Sequence, residues 1–471
     1  MDFEDNYKKL LKQMNVNYEK RSLKHTVGRN TPLFPFKTTS TKVATFTKGF
    51  YPILGEFSRL FLNKKLNYNY DLKSLIENID KNNEECFDVE EGTENYLVKL
   101  IEEYLFNEKG NLKILNPYLF LYLPLSEGLQ LNAEREIALF LRDIFFINPL
   151  NQNLLDFFNN KETNDLIIKL ILNNIPNLET EQVSTKYYCL LNNIYHVFNE
   201  DMNFITEYKE YLMENIDKIF AYYYFFYISQ LVLKLNRGFD DNLEMDNLYY
   251  LLDWESVSKN RKTVDKGYNL LKDKSYSLFS QAVLIDQLNT LLGTNGLLKK
   301  DLLYYYNDLS VQEKNNFLIY LKKWICCYKW INNFDSFKKN EEDYLEELPN
   351  NFKDLVNELY KDINSDVYGI KPRQKYTFSS NLRNVAKRYF LKKRGSYGYV
   401  LNMDRDMLLV ITTLCVKDKK IKLNQLFKEY ERRGLFFDRY SKNEIVKLLN
   451  ELNLIDKKSD SGDAQYVKPI L

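Results

Sequence analysis

Between residues 60 and 360, leucines and aromatic side chains recur at three- and four-residue spacings, and this periodicity constrains the chain more than any other feature. A 3.6-residue repeat turns one apolar stripe of each helix toward a core, and the whole chain holds only 15 Gly and 10 Pro to interrupt it. The clearest helices are predicted at 134–147, 164–174, 187–199 and 211–235, separated by breaks at Asn116-Pro117, Pro124, Pro149 and Pro176. No fixed repeat length marks a solenoid, so the expected fold class is mainly α, an irregular multi-helix body with a C-terminal winged-helix domain. The longest uncharged stretch, 219–233, is too short and too rich in tyrosine to span a bilayer; it predicts a buried helix, and no membrane partner is expected.

With 66 basic and 65 acidic residues the net charge is +1, so attraction to an anionic partner must come from local clustering. Residues 20–55 carry Lys20, Arg21, Lys24, Arg29, Lys37, Lys42 and Lys48 without a single acid, among Gly28, Pro32, Pro35 and many threonines, and read as a loop. Residues 341–366 hold nine acids against Lys353 and Lys361. The sign then reverses, because 367–403 contains no acid and nine cations. These shifts divide the chain into a basic, partly extended N-terminal segment (1–60), a helical body (61–340), an acidic connector (341–366), a basic arm (367–403) and the winged-helix domain (404–471).

The last domain is read from its order of elements. A helix is predicted at 406–416, a short strand at 419–423, and a second helix at 423–433 with Leu423, Leu426, Phe427 and Tyr430 on its core face and Gly434 as its stop. Ser441 followed by Glu444 predicts a capping box that opens a third helix, and 454–458 with 464–468 predict a hairpin wing. On the third helix Lys442, Lys447 and Asn450 are candidate DNA contacts. Glu444 and Glu451 cancel its charge and Asp460 and Asp463 sit at the wing tip, so a protein-docking role stays open beside base reading.

The basic arm is the stronger DNA candidate. Its cations are Lys371, Arg373, Lys375, Arg383, Lys387, Arg388, Lys392, Lys393 and Arg394, interleaved with Tyr376, Phe378, Tyr389, Phe390, Tyr397 and Tyr399. A helix over 380–394 would place Arg383, Lys387 and Arg394 on one face, where cations neutralise phosphates whatever the base sequence and aromatics stack on unpaired bases. The alternative is that these cations pair with the acidic connector.

No nucleotide-binding loop is present: Gly293 and Gly296 before Lys299 and Lys300 lack both the spacing and the Ser or Thr. With two histidines, His25 and His196, and five cysteines without a CxxC pair, no zinc site is expected. Asp362, Asn364 and Asp366 imitate the start of a calcium loop, but Gly369 is misplaced and Arg373 stands where the bidentate acid belongs. The chain is therefore expected to be non-enzymatic, with no cofactor.

Several stretches carry a family resemblance: Lys24-His25-Thr26-Val27-Gly28, the LFPFK run at 33–37, YPILGEFSRL at 51–60, Asp253-Trp254-Glu255, and NLIDKKSDSGDAQYV at 453–467. Together they resemble the DptG family, components of the DNA phosphorothioation-dependent restriction system, over nearly the full chain. The resemblance implies a cytoplasmic bacterial antiviral defence protein that acts with DptF-like and DptH-like ATPase subunits on double-stranded DNA lacking the sulfur-modified backbone. Within such a complex this chain would be the motorless DNA-binding adaptor. A winged-helix transcription regulator and a purely structural subunit are the alternatives.

Overall fold

The computed structural model describes residues 2–28, 30–39, 43–66, 104, 113–145, 151–240, 245–256, 261–334, 341–457 and 465–471. Arg29, Lys42, Pro149 and the acidic wing tip 459–463 lie outside the described residues. The chain is mainly helical, with three small sheets. No described helix is long and apolar enough to cross a membrane.

The organising element is the 28-residue helix Lys209–Asn236, about 42 Å long at 1.5 Å per residue. Every residue from Ile219 to Leu233 is buried, so this stretch is enclosed on all sides and shows no amphipathic stripe. Three of its four tyrosines find polar partners: Tyr223 donates to Asp201, Tyr222 donates to the carbonyl of Arg433, and Tyr227 accepts from the amide of Leu190 at 2.8 Å, whereas the buried Tyr224 hydroxyl has no hydrogen-bond partner among the described residues. A second helix, Leu278–Leu292, is buried along its whole length and packs against Phe3–Gln13, Val311–Ile331, Phe352–Asn364 and Pro372–Tyr389.

Among the described residues the N-terminal segment is largely loop from residue 14 to Phe50; the loop expected at 20–55 ends there because Tyr51–Phe61 is a helix with Pro52 in its first turn. The loop is held by hydrogen bonds rather than by secondary structure. Buried Asp286 accepts from the amides of Asn30 and Thr31 at 3.1 and 2.8 Å and from Gln13 at 2.7 Å. His25 Nε2 lies 2.7 Å from the Tyr328 hydroxyl. Burial, reinforced by nearby Lys371, pushes the imidazole down to about 4, so the folded protein keeps it neutral.

The acidic segment is not an exposed connector. Phe352–Asn364 buries Phe352, Leu355, Val356, Leu359 and Ile363, and two of its three acids turn onto Lys329, which meets Glu358 at 2.8 Å and Asp362 at 3.1 Å. Nor is 367–403 a free arm. Pro372–Tyr389 buries Phe378, Leu382, Val385 and Ala386, and strand Leu391–Lys393 pairs antiparallel with Tyr399–Met403, which pairs in parallel with Leu251–Leu252.

Residues 405–467 follow the expected order: helix Arg405–Val416, strand Ile421–Lys422, helices Leu423–Arg432 and Arg439–Glu451, then strands Ile455–Lys457 and Gln465–Val467. The last strand lies between the other two, antiparallel to both. Ser441 does not open the third helix. Asp438 does, accepting from the amides of Tyr440 and Ser441, while buried Ser441 donates to Glu255 at 2.8 Å and Glu444 pairs with Lys447. Gly434 ends the second helix at φ +78°, where a Cβ would sit 2.2 Å from Cε2 of Phe226 on the central helix, so only glycine fits.

His25 gives a pH signature. Its folded value near 4 lies below the ordinary 6.5, so the unfolded chain binds the extra proton between those values and stability falls as pH drops through that window. Urea unfolding at pH 7 and pH 4.5 should show this loss shrinking by about 2 kcal/mol in His25→Gln. An unchanged difference between the two pH values would contradict the buried, neutral imidazole.

Candidate nucleic-acid interface

The basic helix Pro372–Tyr389 begins with proline at its first position, where the ring presets φ and no amide is lost. Phe378, Leu382 and Val385 recur at four- and three-residue steps on the buried side. The opposite side therefore presents Arg373, Tyr376, Ser380, Arg383 and Lys387, again at three- and four-residue steps. Arg373 and Lys387 are exposed, and Arg383 is half-buried with its guanidinium 4.2 Å over the Tyr376 ring, bonding that hydroxyl. Arg383 also bonds Tyr268, whose hydroxyl is pushed up by burial and drawn back by the guanidinium; the Tyr376 and Tyr399 hydroxyls lie close enough to act on it as well. Arg388 is exposed near the Tyr389 ring, at 6.0 Å, and Lys393 is exposed on the following strand. No ion pair engages Arg373, Arg383, Lys387 or Lys393 among the described residues.

The remaining candidates are used inside the molecule. The helix does not run to Arg394; it stops at Tyr389 because Phe390 turns in and stacks on Phe225 at 4.6 Å. Arg394 is thereby carried away from the Arg383 face, and its guanidinium donates to the carbonyls of Leu252, Asp253 and Glu255 and to Asn402. Lys392 pairs with Asp253 and holds that carboxyl below its ordinary range. Lys375 is 1% exposed and donates to Asp366 at 2.7 Å and to the carbonyl of Asn364. Its ammonium thus serves the Asn364–Asp366 turn that imitates a calcium loop, while Asp362 faces Lys329 instead. Burial pushes Asp362 up to about 7 against the pull of Lys329. Lys371 is exposed and donates to the carbonyl of Val367 at 2.6 Å.

On the helix Arg439–Glu451, Lys442 pairs with Glu431 at 3.1 Å, Lys447 with Glu444 at 2.6 Å, and Asn450 donates to its own helix at Val446. The N-terminus of that helix is locked to the body. Arg261 meets Asp438 at 2.6 Å and Glu255 at 3.3 Å, and donates to Ser441 at 3.0 Å. Burial raises Glu255 while Ser441 and Arg261 pull it down. No local pattern marks Arg261, Glu255 or Tyr268, because each acts through residues distant in sequence. Among the described residues no cluster of His, Cys, Asp or Glu is placed to hold a metal ion.

The division between internal and surface cations is measurable by unfolding. Lys375→Ala should lower stability by about 2 kcal/mol because it leaves the Asn364 carbonyl and Asp366 without their cation, whereas Lys387→Ala should stay within about 0.5 kcal/mol. Equal losses in urea titrations would remove the distinction. A scan against known protein families finds no match, and a search among curated proteins finds no relative.

Proposed function

We propose that this chain is a non-catalytic DNA-binding adaptor of a bacterial phosphorothioation-dependent restriction complex, acting in the cytoplasm with DptF-like and DptH-like ATPase subunits on unmodified DNA. The observation that carries the DNA part is the outer face of Pro372–Tyr389, where Arg373, Arg383 and Lys387 flank Tyr376 on a segment without acids. Such a face suits phosphates in any base sequence. The partner subunits and the restriction role rest on the family resemblance alone.

We read 405–467 as a winged-helix module, on the strength of its element order and its sheet with the last strand in the middle. Its third helix is poorly suited to base reading, because Lys442 and Lys447 are paired with acids and its N-terminus is tied to Glu255 and Arg261. That favours a module that supports the body or docks a protein partner over a transcription regulator reading through Lys447 and Asn450.

Replacing Arg373, Arg383, Lys387, Arg388 and Lys393 together by alanine should weaken DNA binding by at least about tenfold for every sequence and flatten the salt dependence by roughly one unit of slope for each phosphate no longer neutralised. Titrations of the full chain at several salt concentrations read both effects. Affinity and slope equal to the parent's would remove this face as the DNA surface.

A further inference from the structure

A surface that only tracked phosphates would need cations and nothing else. The face of Pro372–Tyr389 also spends aromatic area on solvent: Tyr376 is 56% exposed and Tyr399, from the adjacent strand, is 44% exposed. Tyr399 stands opposite Lys393 in the strand pair that follows the helix, so the second ring lies beside an exposed cation of the same segment. The Tyr376 ring and the Arg383 guanidinium, 4.2 Å apart, form one cluster, with Arg373 and Lys387 at the two ends of the helix face, about 21 Å apart along the axis at 1.5 Å per residue.

A duplex cannot use those rings, because its base faces are stacked on one another and only their edges reach the grooves. An unpaired strand can. Its bases stack on aromatic side chains irrespective of sequence while its phosphates meet the flanking cations. The guanidinium of Arg383 already lies 4.2 Å from the centre of the Tyr376 ring, so a base stacked on that ring would join a cation–π arrangement. At the 3.4 Å per-strand spacing of stacked bases, the span from Arg373 to Lys387 covers on the order of six nucleotides.

We infer that the Arg373–Tyr376–Arg383–Lys387 face, with Tyr399, is a binding site for single-stranded DNA and prefers an unpaired strand over a duplex of the same sequence. This rests on the reading of that face as the DNA surface and adds the strand form it takes. Bases of any identity are accepted, since every base offers a π-face. A motor partner that opens a duplex would supply such a strand.

The test uses the full chain and fluorescence anisotropy with a labelled single strand of about 20 nucleotides, well beyond the expected site, and the blunt duplex of the same sequence at equal salt. The single strand should bind at least about tenfold tighter. Tyr376→Ala with Tyr399→Ala should reduce single-strand affinity by about tenfold per ring and leave duplex affinity unchanged, and Tyr376→Phe with Tyr399→Phe should restore the single-strand preference. Both rings are exposed, so unchanged far-ultraviolet circular dichroism and melting should accompany the loss. Equal or tighter duplex binding, with the alanine variant indifferent, overturns the strand preference while leaving a DNA surface in place. Absence of binding to either form overturns both.

Discussion

The ion pair between Asp201 and Arg433 fixes how the terminal unit sits on the rest of the molecule. Both side chains are buried, at 0% and 1% exposure, and the guanidinium meets the carboxylate through two hydrogen bonds of 2.8 and 2.6 Å. Glu429, the carbonyl of Leu414 and Tyr223 complete the shell. Two charges placed so deep hold together because removing one leaves the other with only a secondary partner, Glu429 at 2.9 Å for Arg433 or Lys417 at 3.8 Å for Asp201, a loss of up to about 3 to 5 kcal/mol. The pair does not have to raise total stability to matter. It sets register: Arg433 ends the second helix of the terminal unit, its carbonyl accepts from Tyr222, and the next residue, Gly434, lets Phe226 approach the backbone.

That placement propagates into the candidate interface. With the central helix fixed, Phe390 has a ring to stack on, and its inward turn ends the basic helix and starts the strand Leu391–Lys393. Lys392 and Arg394 then reach Asp253 and the carbonyls around it, which holds the 253–255 loop beside the terminal unit. Glu255 from that loop and Arg261 close on Asp438 and Ser441. The helix that would read bases in an isolated winged-helix module is thus tied down at its N-terminus, while Arg373, Lys387 and Arg388 face solvent on Pro372–Tyr389.

The helical character of the body, most of the loop read at 20–55, the charge reversal near residue 366 and the element order after 405 were legible in the sequence, because each is written in local spacing or composition, whereas the helix expected at 187–199 starts only at Asn192 and Tyr51 already opens a helix inside the expected loop. The helix 211–235 differs from Lys209–Asn236 by only a residue or two at each end. The fate of single cations was not legible. Lys375 and Lys387 look alike in a chain that simply turns basic, yet one is buried on Asp366 and the other faces water. The partner of Lys392, Asp253, lies 139 residues away, beyond any helical or hairpin spacing. Ser441 with Glu444 has the spacing of a capping box, but Asp438 starts the helix three residues earlier by taking the amides of Tyr440 and Ser441, and tertiary contacts take the serine. The tyrosine-rich composition also concealed the surface pattern, since most rings fill the core and only exposure separates Tyr376 and Tyr399 from them.

The central claim is that DNA meets the basic helix and not the third helix of the terminal unit. Lysine footprinting addresses it directly, by acetylating the intact protein with and without DNA and reading each site by mass spectrometry. Lys387 and Lys393 should lose reactivity when DNA is bound, while Lys442 and Lys447 keep theirs. Protection of Lys442 and Lys447 with Lys387 and Lys393 unchanged would contradict the account.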